Sequence, residues 1–548
     1  MQWWYAAASL AALMLALGLV YVPLGDYMAR MFTTDKDWRV EKVIYKLIGV
    51  NPARQQSWRG YLRAVLAFSA VGMLLLYAMQ RCQQWLPFSL GHGPVSPWVA
   101  FNTAASYVGN TNWQAYSPEQ TMGFTVQMAG LAVQSFVSVA AGLAVAIALV
   151  RGLAARRTKD IGNFWVDLIR TNIRLLLPLA MVATIGLIIG GVVQNFTGFT
   201  QITTIAGGTQ AIPGGPVASQ EAIKMLGTNG GGFFNANSAH PLENPTPMTN
   251  MFQSYLLLVV PFALPRTFGK MVDDHRLGDV VAATMGILFV AAYWGLTAAE
   301  LAGGVMEGKE QRFGIIGSVV FTAATTGTTG GAINSNLDSF TPLGGLVAML
   351  HMILGEVTPG GIGSGLYTIL ILMVIAVFLT GLLVGRTPVL LGKRLGPTEL
   401  KLAGLGILIV PMVALFGMAI SLAIPPVRTE LLTQAMGNSG THGVSEMLYA
   451  FYSAAVNNGS AFSGFNADTP WLNTVLGLMI LLGRFLVIAI VLALAGAFAA
   501  QDKAPRGVGE LPLRRPQFIG LLTTLILFIG VPTFFAILTA GPLAEGLR

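Results

Sequence analysis

Residues 226–231 read Leu226-Gly227-Thr228-Asn229-Gly230-Gly231, a polar, glycine-rich loop set between long hydrophobic spans. Three further loops of this character recur along the chain, at 108–112, 326–331 and 456–460. Potassium filters are built from short segments of this type, because their backbone carbonyls can replace the hydration shell of the ion. One such loop alone is more often an ordinary turn. Recurrence at matched positions between hydrophobic spans favours four walls of a single pore.

The composition indicates a membrane protein. Of the 548 residues, 54% are hydrophobic and 10% are charged, and the mean hydropathy is +0.65. Soluble domains carry about 25% charged residues. The single cysteine, Cys82, excludes a disulfide within the chain and a cysteine-cluster metal site. The sequence contains neither a P-loop nor an Asp-Lys-Thr-Gly phosphorylation motif, so we predict a non-catalytic chain.

About ten apolar stretches are long enough to cross a bilayer as helices, which takes roughly 20 residues each. They lie near 3–24, 62–80, 122–150, 175–195, 251–265, 278–299, 366–385, 402–424, 472–500 and 517–540. The first stretch lacks a basic leader and a small-residue cleavage site, so we expect a membrane anchor there. The sequence therefore predicts an all-α integral membrane protein.

The lysines and arginines predict the orientation in the membrane. The segments 26–63, 151–174, 266–276, 386–401 and 503–515 hold 25 of the 32 basic residues. Basic residues favour the cytoplasmic side of a membrane. We therefore expect both termini and all four polar loops to lie on the outer side. The net charge of +8 follows from this bias and requires no nucleic-acid partner.

A unit made of a span, a short amphipathic stretch, a polar loop and a second span repeats four times. Each short stretch covers only two or three helical turns and cannot cross the bilayer. Irregular backbone at membrane depth is tolerated where it is buried or lines a wet cavity. A short helix of this kind aims its carbonyl end at the pore, which favours a cation. Dehydrated carbonyl coordination favours a large monovalent one.

This repeat predicts four channel-like helix–pore-loop–helix units with one extra helix at each end. The expected regions are 1–61 (N-terminal helix and cytoplasmic segment), 62–150 (first repeat), 151–265 (second repeat with the preceding cytoplasmic loop), 266–386 (third repeat with an interrupted second helix), 387–500 (fourth repeat) and 501–548 (cytoplasmic loop and C-terminal helix).

The candidate ion ligands are the central residues of the four loops. They are Asn110, Thr111, Asn112, Thr228, Asn229, Gly230, Thr329, Gly330, Gly331, Asn457, Asn458 and Gly459. The third loop is the richest in threonine, and the sequence leaves open how it aligns with the other three. Lys224 and Glu221 precede the second loop at helical spacing, which favours a structural pair over ion coordination.

The stretch 217–237, which includes the second loop, resembles the signature of KdpA, the potassium-binding subunit of the bacterial Kdp potassium-transporting ATPase. The stretches 110–114, 363–367 and 457–462 resemble the same family, and the likeness extends along the whole chain. The resemblance implies a channel-derived fold in the bacterial inner membrane. It also implies potassium as the one bound ion.

The resemblance further implies a complex. Its other members would be a P-type ATPase subunit (KdpB), a single-span accessory subunit (KdpC) and a small stabilising subunit (KdpF). Potassium would enter through the four loops of this chain and pass by an intramembrane tunnel to KdpB, which would hydrolyse ATP.

Two ionisable residues fall within apolar stretches. Arg484 lies inside a run of nearly thirty apolar residues, and such a charge must face protein or water. Glu356 lies in 354–365, whose glycines and Pro359 predict a break in an overlong helix. We expect a gate or barrier below the filter, with Glu356 as a partner of Arg484. Its residues are Glu356, Gly360, Gly361, Gly363 and Arg484. A purely structural role for either feature is the alternative.

A self-contained potassium channel, or a transporter driven by an ion gradient, is the main alternative function. A membrane-embedded enzyme has no supporting catalytic constellation in the sequence, and a structural scaffold would not need four polar re-entrant loops.

Overall fold

The structure is a computed structural model that describes residues 1–503 and 512–547. Arg506, one of the basic residues of the 503–515 segment, lies outside the described residues. In chain order the α-helices are α1 (Gln2–Thr33), α2 (Arg39–Leu47), α3 (Trp58–Arg81), α4 (Pro97–Val108), α5 (Pro118–Thr121), α6 (Val133–Ala154), α7 (Phe164–Arg170), α8 (Leu177–Ile189), α9 (Val217–Leu226), α10 (Pro247–Met271), α11 (His275–Gly303), α12 (Gly314–Gly327), α13 (Pro342–Ile353), α14 (Ser364–Leu383), α15 (Pro397–Ala423), α16 (Pro425–Glu430), α17 (Gly440–Ala455), α18 (Pro470–Ala500), α19 (Pro516–Ala540) and α20 (Pro542–Gly546).

Shorter elements join these helices. π-Helical segments at Val126–Ala132, Thr171–Leu176 and Leu431–Ala435 lead into α6, join α7 to α8, and follow α16. Single 3-10 turns lie at Gln83–Trp85, Asn237–Ala239, Leu337–Ser339 and Gly355–Val357. Two antiparallel hairpins complete the described chain: β1 (Thr200–Thr203) with β2 (Thr209–Ile212), and β3 (Val389–Leu390) with β4 (Lys393–Arg394).

Ten helices of the described residues are long and apolar enough to cross a membrane, which confirms the predicted number. They are α1, α3, the π segment continued by α6, α7 continued into α8, α10, α11, α14, α15, α18 and α19. The largest difference from the predicted positions is in the fourth span, predicted at 175–195, which runs from Phe164 to Ile189. Helix α10 also exceeds its predicted stretch of 251–265 and runs from Pro247 to Met271. Its internal prolines are accommodated in a continuous helix because its surroundings are buried protein.

Several helices begin at a Ser-Pro or Thr-Pro pair. Ser96, Thr246, Thr341 and Thr469 each accept a hydrogen bond from the backbone N–H three residues later, and a proline follows each of them. The hydroxyl satisfies a backbone donor that the first helical turn leaves free. Proline is suited to the first helical position because its nitrogen carries no hydrogen there. These caps define where α4, α10, α13 and α18 start.

The helices form an inner and an outer layer. The segment of α6 from Ala140 to Val150 is fully buried, and α10 is mostly buried. The span α18 packs against α3, α4, α6, α15 and α17, so that it runs beside two of the short helices. By contrast, only 22% of the most apolar window of each of α1, α3, α15 and α19 is buried. In a membrane protein such surface is suited to lipid tails.

The basic segments predicted for the inner side meet on one face of the molecule. Arg174 pairs with Glu41, Arg170 with Asp37, Arg266 with Asp26 and Arg514 with Asp274. Lys393 Nζ donates to the backbone oxygens of Ala155, at 2.6 Å, and Gln501, at 2.9 Å. These contacts join all five segments at residues that the structure describes.

The opposite face carries the four loops and both described ends of the chain. Trp3 stacks on Trp294 near the end of α11, with 6.2 Å between ring centroids. Glu545 of α20 accepts a hydrogen bond from His442 at the start of α17. Both described ends of the chain therefore lie on the face where α12 and α17 begin.

Candidate ion-binding site

Four short helices end at the four polar loops. They are α4, α9, α12 and α17, which contain 10 to 16 residues each. At 1.5 Å per residue the longest spans about 24 Å, less than the ~30 Å hydrocarbon layer. All four are largely buried. Their carbonyl ends therefore point into the interior of the helix assembly.

The backbone leaves each short helix in the same way. Asn110, Thr228, Thr329 and Asn457 all have left-handed φ values, of 68°, 50°, 50° and 61°. The residue after each one donates its backbone N–H to the carbonyl five residues earlier. These bonds are Thr111 to Ser106, Asn229 to Lys224, Gly330 to Thr325 and Asn458 to Ser453, at 2.9–3.0 Å. This Schellman ending reverses the chain and turns the following residues away from the helix axis.

The repeated ending aligns the four loops in three levels. The first ring is Asn110, Thr228, Thr329 and Asn457; the second ring is Thr111, Asn229, Gly330 and Asn458; the third ring is Asn112, Gly230, Gly331 and Gly459. The sequence left the alignment of the third loop open. The structure aligns its Thr329 with Asn110, Thr228 and Asn457 of the other three loops. All twelve residues were candidates from sequence.

The loops touch one another in the order one, two, three, four. Gly230 N donates to Thr111 O at 3.2 Å, joining the second loop to the first. The third loop lies close to the second and the fourth, because a Cβ at Gly331 would lie under 3.0 Å from both Gly230 Cα and Asn458 O. The fourth loop is joined to the first because Asn457 Nδ2 donates a hydrogen bond to Thr111 Oγ1 at 2.9 Å. Backbone oxygens and glycine Cα atoms therefore crowd a common axis.

Side chains brace the first two loops. Asn229 Nδ2 donates to Asn110 Oδ1 at 2.9 Å, and Asn110 Nδ2 donates to Gly227 O at 3.2 Å. Asn110 Oδ1 also accepts from Ser138 on α6 at 2.8 Å. Thr228 Oγ1 and Asn229 Oδ1 remain buried with no protein partner. The site therefore offers neutral oxygens to a ligand, and no formal charge lies on the rings.

A polar vestibule leads to the third ring from the loop face. Its volume is about 600 Å³, and all four third-ring residues line it together with Gln114 and Asn237. Such a volume holds a hydrated ion. The first ring faces the other way, because Asn110, Thr329 and Asn457 line a separate cavity of about 130 Å³.

The cavity below the loops is bounded by the interrupted helix α13–α14. The break lies at 354–363, where sequence predicted it. Gly360 N donates to Gly327 O at 2.8 Å, and Gly361 packs against the Thr329 hydroxyl. Further lining comes from α15, α17, α18 and α19, including Pro411, Tyr452, Arg484 and Thr533. The broken segment thus supports the third loop directly, and Gly363 packs against Gly142 of α6.

Arg484 and Glu356 both line this cavity, but they do not form the predicted ion pair. The Arg484 guanidinium donates to Ser138 O at 3.5 Å, whereas Glu356 Oε2 accepts from Thr368 Oγ1 at 3.1 Å. In the part of the chain that the structure describes, the Arg484 guanidinium and the Glu356 carboxylate form no ion pair within 4.0 Å. The pairing was wrong because similar depth in two spans does not specify which way each side chain points.

Sequence reasoning missed a buried polar cluster behind the second loop. It predicted only the pair of Lys224 with Glu221, which the structure has at 2.7 Å. Lys224 Nζ also contacts Glu243 Oε2, Asn237 Oδ1 and Ser238 Oγ. Helical spacing reveals the first partner, but no local pattern connects Lys224 with residues 13 to 19 positions later. The described residues contain no group of three His, Cys, Asp or Glu side chains suited to a metal ion.

Known proteins resemble this chain along nearly its full length. The family model described as KdpA, potassium-transporting ATPase A subunit, matches residues 11–547. A potassium-transporting ATPase potassium-binding subunit of Clavibacter michiganensis subsp. michiganensis is 60% identical over 98% of both chains. Proteins with the same description from Cutibacterium acnes and Mycolicibacterium smegmatis are 55% and 54% identical, covering 100% and 99% of both chains.

A solved structure shares the fold. The potassium transporter TrkH from Vibrio parahaemolyticus superposes with a TM-score of 0.54 over 90% of this chain and 97% of its own. The two sequences are 14% identical, so this likeness concerns the architecture alone.

Proposed function

This chain belongs to the KdpA family of potassium-transporting ATPase A subunits, and we propose that its four loops form the potassium-selective filter of that transporter. The observation that carries the proposal is the fourfold repetition of one backbone ending, with a left-handed residue and a bond five residues back in every loop. Four equivalent turns at one axis supply rings of carbonyl oxygens. A channel obtains the same arrangement from four subunits.

Chemistry at the rings favours a large monovalent cation. The donors are neutral backbone and amide oxygens, and four helix carbonyl ends point toward them. A small divalent ion keeps its water tightly and prefers carboxylates. Potassium sheds its shell more readily and can be held by carbonyls alone. The ligands we assign are the twelve residues of the three rings, with potassium as the cargo and no further cofactor.

The ion then passes into the cavity below the first ring. This cavity reaches between α15 and α19, toward the exposed side of the helix assembly, which supports passage within the membrane to a partner subunit. Arg484 provides a fixed positive charge that opposes direct escape to the cytoplasm. The segment with Glu356, Gly360, Gly361 and Gly363 acts as a gate, because it touches the third loop and lines the cavity.

The partner that consumes ATP is a P-type ATPase subunit (KdpB), accompanied by a single-span subunit (KdpC) and a small one (KdpF). Names of the relatives, which describe a potassium-binding subunit of an ATPase, support this division of labour. The clustering of basic segments on one face supports a multi-pass orientation in the bacterial inner membrane with both termini outside. The four equivalent turns support our division into repeats at 62–150, 151–265, 266–386 and 387–500.

A self-contained channel or gradient-driven transporter remains the competing function. Purification in mild detergent from a native membrane separates the two, because only the first requires an ATPase that co-purifies. Potassium-stimulated ATP hydrolysis should appear in the complex and be absent from the isolated chain. Hydrolysis by the rigorously purified chain alone would contradict the assignment of a non-catalytic subunit.

The filter itself can be tested at Gly331. A Cβ there would clash with Asn458 O, and its φ of 69° disfavours other residues. We expect Gly331→Ala to raise the half-saturating potassium concentration of ATP hydrolysis roughly tenfold or more, since each 1.4 kcal/mol of lost affinity is a factor of ten. The measurement is hydrolysis by the purified complex in potassium, rubidium and sodium series.

Gly286→Ala is the matched control, because a Cβ at that helical glycine meets nothing within 4 Å. An unchanged ion dependence in Gly331→Ala, with normal complex yield, would remove the third loop from the filter.

A further inference from the structure

Lys224 is a fully buried cation that the transport path described above does not use. Its side chain is 2% exposed, and those of Glu221 and Glu243 are 1% and 0% exposed. Burying three ionisable groups is costly unless each is paired and hydrogen-bonded. Here the ammonium has four oxygens within 3.1 Å, from Glu221, Glu243, Asn237 and Ser238. A cluster this complete holds every member in one position.

Asn237 connects this cluster to the third ring. Lys224 can only donate, so the atom of Asn237 that faces it must be the amide oxygen. The amide nitrogen is thereby turned toward Gly230, and Nδ2 donates to Gly230 O at 2.6 Å. Ser238 N also donates to Asn237 Oδ1, at 2.9 Å, so Lys224 and this backbone donor together set the direction of the hydrogen bond to Gly230 O.

Gly230 O is an unusual member of its ring. Within the described chain, the carbonyl oxygens of Asn112, Gly331 and Gly459 accept no hydrogen bond from a side chain, whereas Gly230 O does. Both Gly230 and Asn237 line the vestibule through which an ion reaches the loops. A carbonyl held by a short amide bond is oriented more rigidly than its three neighbours, and ring geometry affects which ion fits.

We propose that Lys224, acting through Asn237, is a positioning residue that sets the ion specificity of the third ring by fixing the Gly230 carbonyl. This inference rests on the proposed filter function. Glu221 and Glu243 hold the ammonium in place: Glu221 Oε1 accepts from Ser238 Oγ at 2.9 Å, and Glu243 Oε1 accepts from Phe234 N at 2.7 Å. The two carboxylates thus anchor the cluster to both the helix α9 and the loop that follows the ring.

Asn237→Asp is the sharpest variant. It preserves the side-chain volume and the contact with the ammonium, but it replaces the donor to Gly230 O with an acceptor. Lys224→Met removes the charged one of the two donors that hold the amide oxygen. We expect both variants to reduce the ratio of the half-saturating concentrations for rubidium and potassium by about fivefold, because the third ring loses its fixed member. The assay is ATP hydrolysis by the purified complex at saturating ATP.

The chain contains a matched control. Lys309 and Glu300 form an equally buried pair at 2.8 Å, with side chains 0% and 1% exposed. Glu300 Oε1 binds Thr341 instead of a loop carbonyl, so this pair has no connection to the rings. Lys309→Met therefore reports the cost of opening a buried ion pair without any change in ring geometry.

The outcomes separate this inference from the filter assignment. A changed rubidium-to-potassium ratio in Asn237→Asp and Lys224→Met, and an unchanged one in Lys309→Met, supports the positioning role. If both ions shift equally, or if Asn237→Asp leaves the ratio intact, the role is overturned although the wild-type filter stands. If the wild-type complex itself does not discriminate among ions, the proposed function fails first. Should Lys224→Met give no folded complex, Asn237→Asp alone decides.

Discussion

Lys224 and Arg484 are both buried cations close to the four loops, but their surroundings differ. Lys224 has two carboxylates and two neutral oxygens within 3.1 Å, behind the second loop. Arg484 faces the cavity below the loops, and its guanidinium donates to Ser138 O at 3.5 Å without a carboxylate closer than 4.0 Å in the described chain. The field of Lys224 is largely cancelled by its neighbours. That of Arg484 is available to an ion in the cavity.

This difference teaches how to distinguish the roles of buried charges. A cation whose charge is compensated by neighbouring carboxylates orients the groups around it, but its electric field is weak beyond them. A cation with few partners beside a cavity acts on what enters the cavity. We therefore assign a geometric role to Lys224 and an electrostatic role to Arg484, and the following variants test that contrast.

The largest effect is expected at Arg484. Arg484→Gln removes the positive charge below the four loops, and we expect passive, ATP-independent potassium flux to rise roughly tenfold or more, as a barrier lowered by about 1.4 kcal/mol would give. Arg484→Lys keeps the charge but loses the planar fork, so it should leak less. Flux is measured in proteoliposomes and normalised to folded complex. Normal coupling in Arg484→Gln would show that the arginine is structural.

A change of opposite direction is expected at Glu356. Glu356→Gln removes a carboxylate from the same cavity, which makes the cavity less favourable for a cation. We expect maximal transport-coupled hydrolysis to fall about twofold to fivefold without a leak, consistent with a moderate Coulomb term near a polar cavity. The readout is the maximal rate, together with flux in the absence of ATP. A leak in this variant would contradict opposed roles for the two residues.

Gly142→Ala gives a smaller test that keeps both charges. A Cβ at Gly142 would lie 2.5 Å from Arg484 Nη2, so the guanidinium must move aside. We expect passive flux to rise about twofold to threefold, because the charge stays in the cavity but shifts from its position. A twofold rise corresponds to a barrier lowered by well under about 1 kcal/mol. Gly286→Ala is the control with open space around it. An increase as large as that of Arg484→Gln would mean that packing at α6, more than charge, closes the path.

The smallest effect is expected on the loop face, where His442, like Lys224, has two carboxylate partners. Its Nε2 and Nδ1 lie 2.8 Å from Asp338 Oδ1 and Glu545 Oε1, and Glu446 also faces it. Burial alone would lower the pKa of His442, but the hydrogen bonds to Asp338 and Glu545 outweigh it and raise the pKa. The folded state thus favours the protonated ring, which ties α17 to α20 and to the loop before α13.

Stability from this cluster should depend on pH with a definite sign. Because the folded pKa is raised, the contribution is fully present below the ordinary histidine pKa of about 6.5 and is lost as pH rises through the folded value. We expect the Tm of the complex to exceed that of His442→Gln by about 1–2 °C at low pH and the gap to close in alkali. Thermal unfolding across pH tests this. A Tm difference that widens as pH rises would contradict the raised pKa of His442. A changed ion preference in His442→Gln would contradict a purely structural role for this cluster.

The elements predicted from sequence were those whose signal is local. Ten apolar stretches of spanning length predict ten helices, and the glycines and proline of 354–365 predict the break between α13 and α14. The polar loops are visible because glycine, asparagine and threonine replace apolar residues over a few positions. The length of α10 was not predictable, because its buried surroundings let the helix extend beyond its apolar stretch. The alignment of the third loop was not predictable either, because backbone hydrogen bonds decide it.

Sequence alone establishes the class of this protein, since hydropathy, basic-residue placement and repeated polar loops each depend on residues close together in the chain. Only the tertiary structure decides which charges meet. Arg484 and Glu356 share a cavity but do not pair, whereas Lys224 gathers Glu243 and Asn237 from the segment beyond the loop. The reason is physical: partner choice at depth depends on the direction of side chains and the crossing of helices, which no short pattern encodes. Asn237, a member of this cluster, donates the side-chain hydrogen bond that the Gly230 carbonyl accepts.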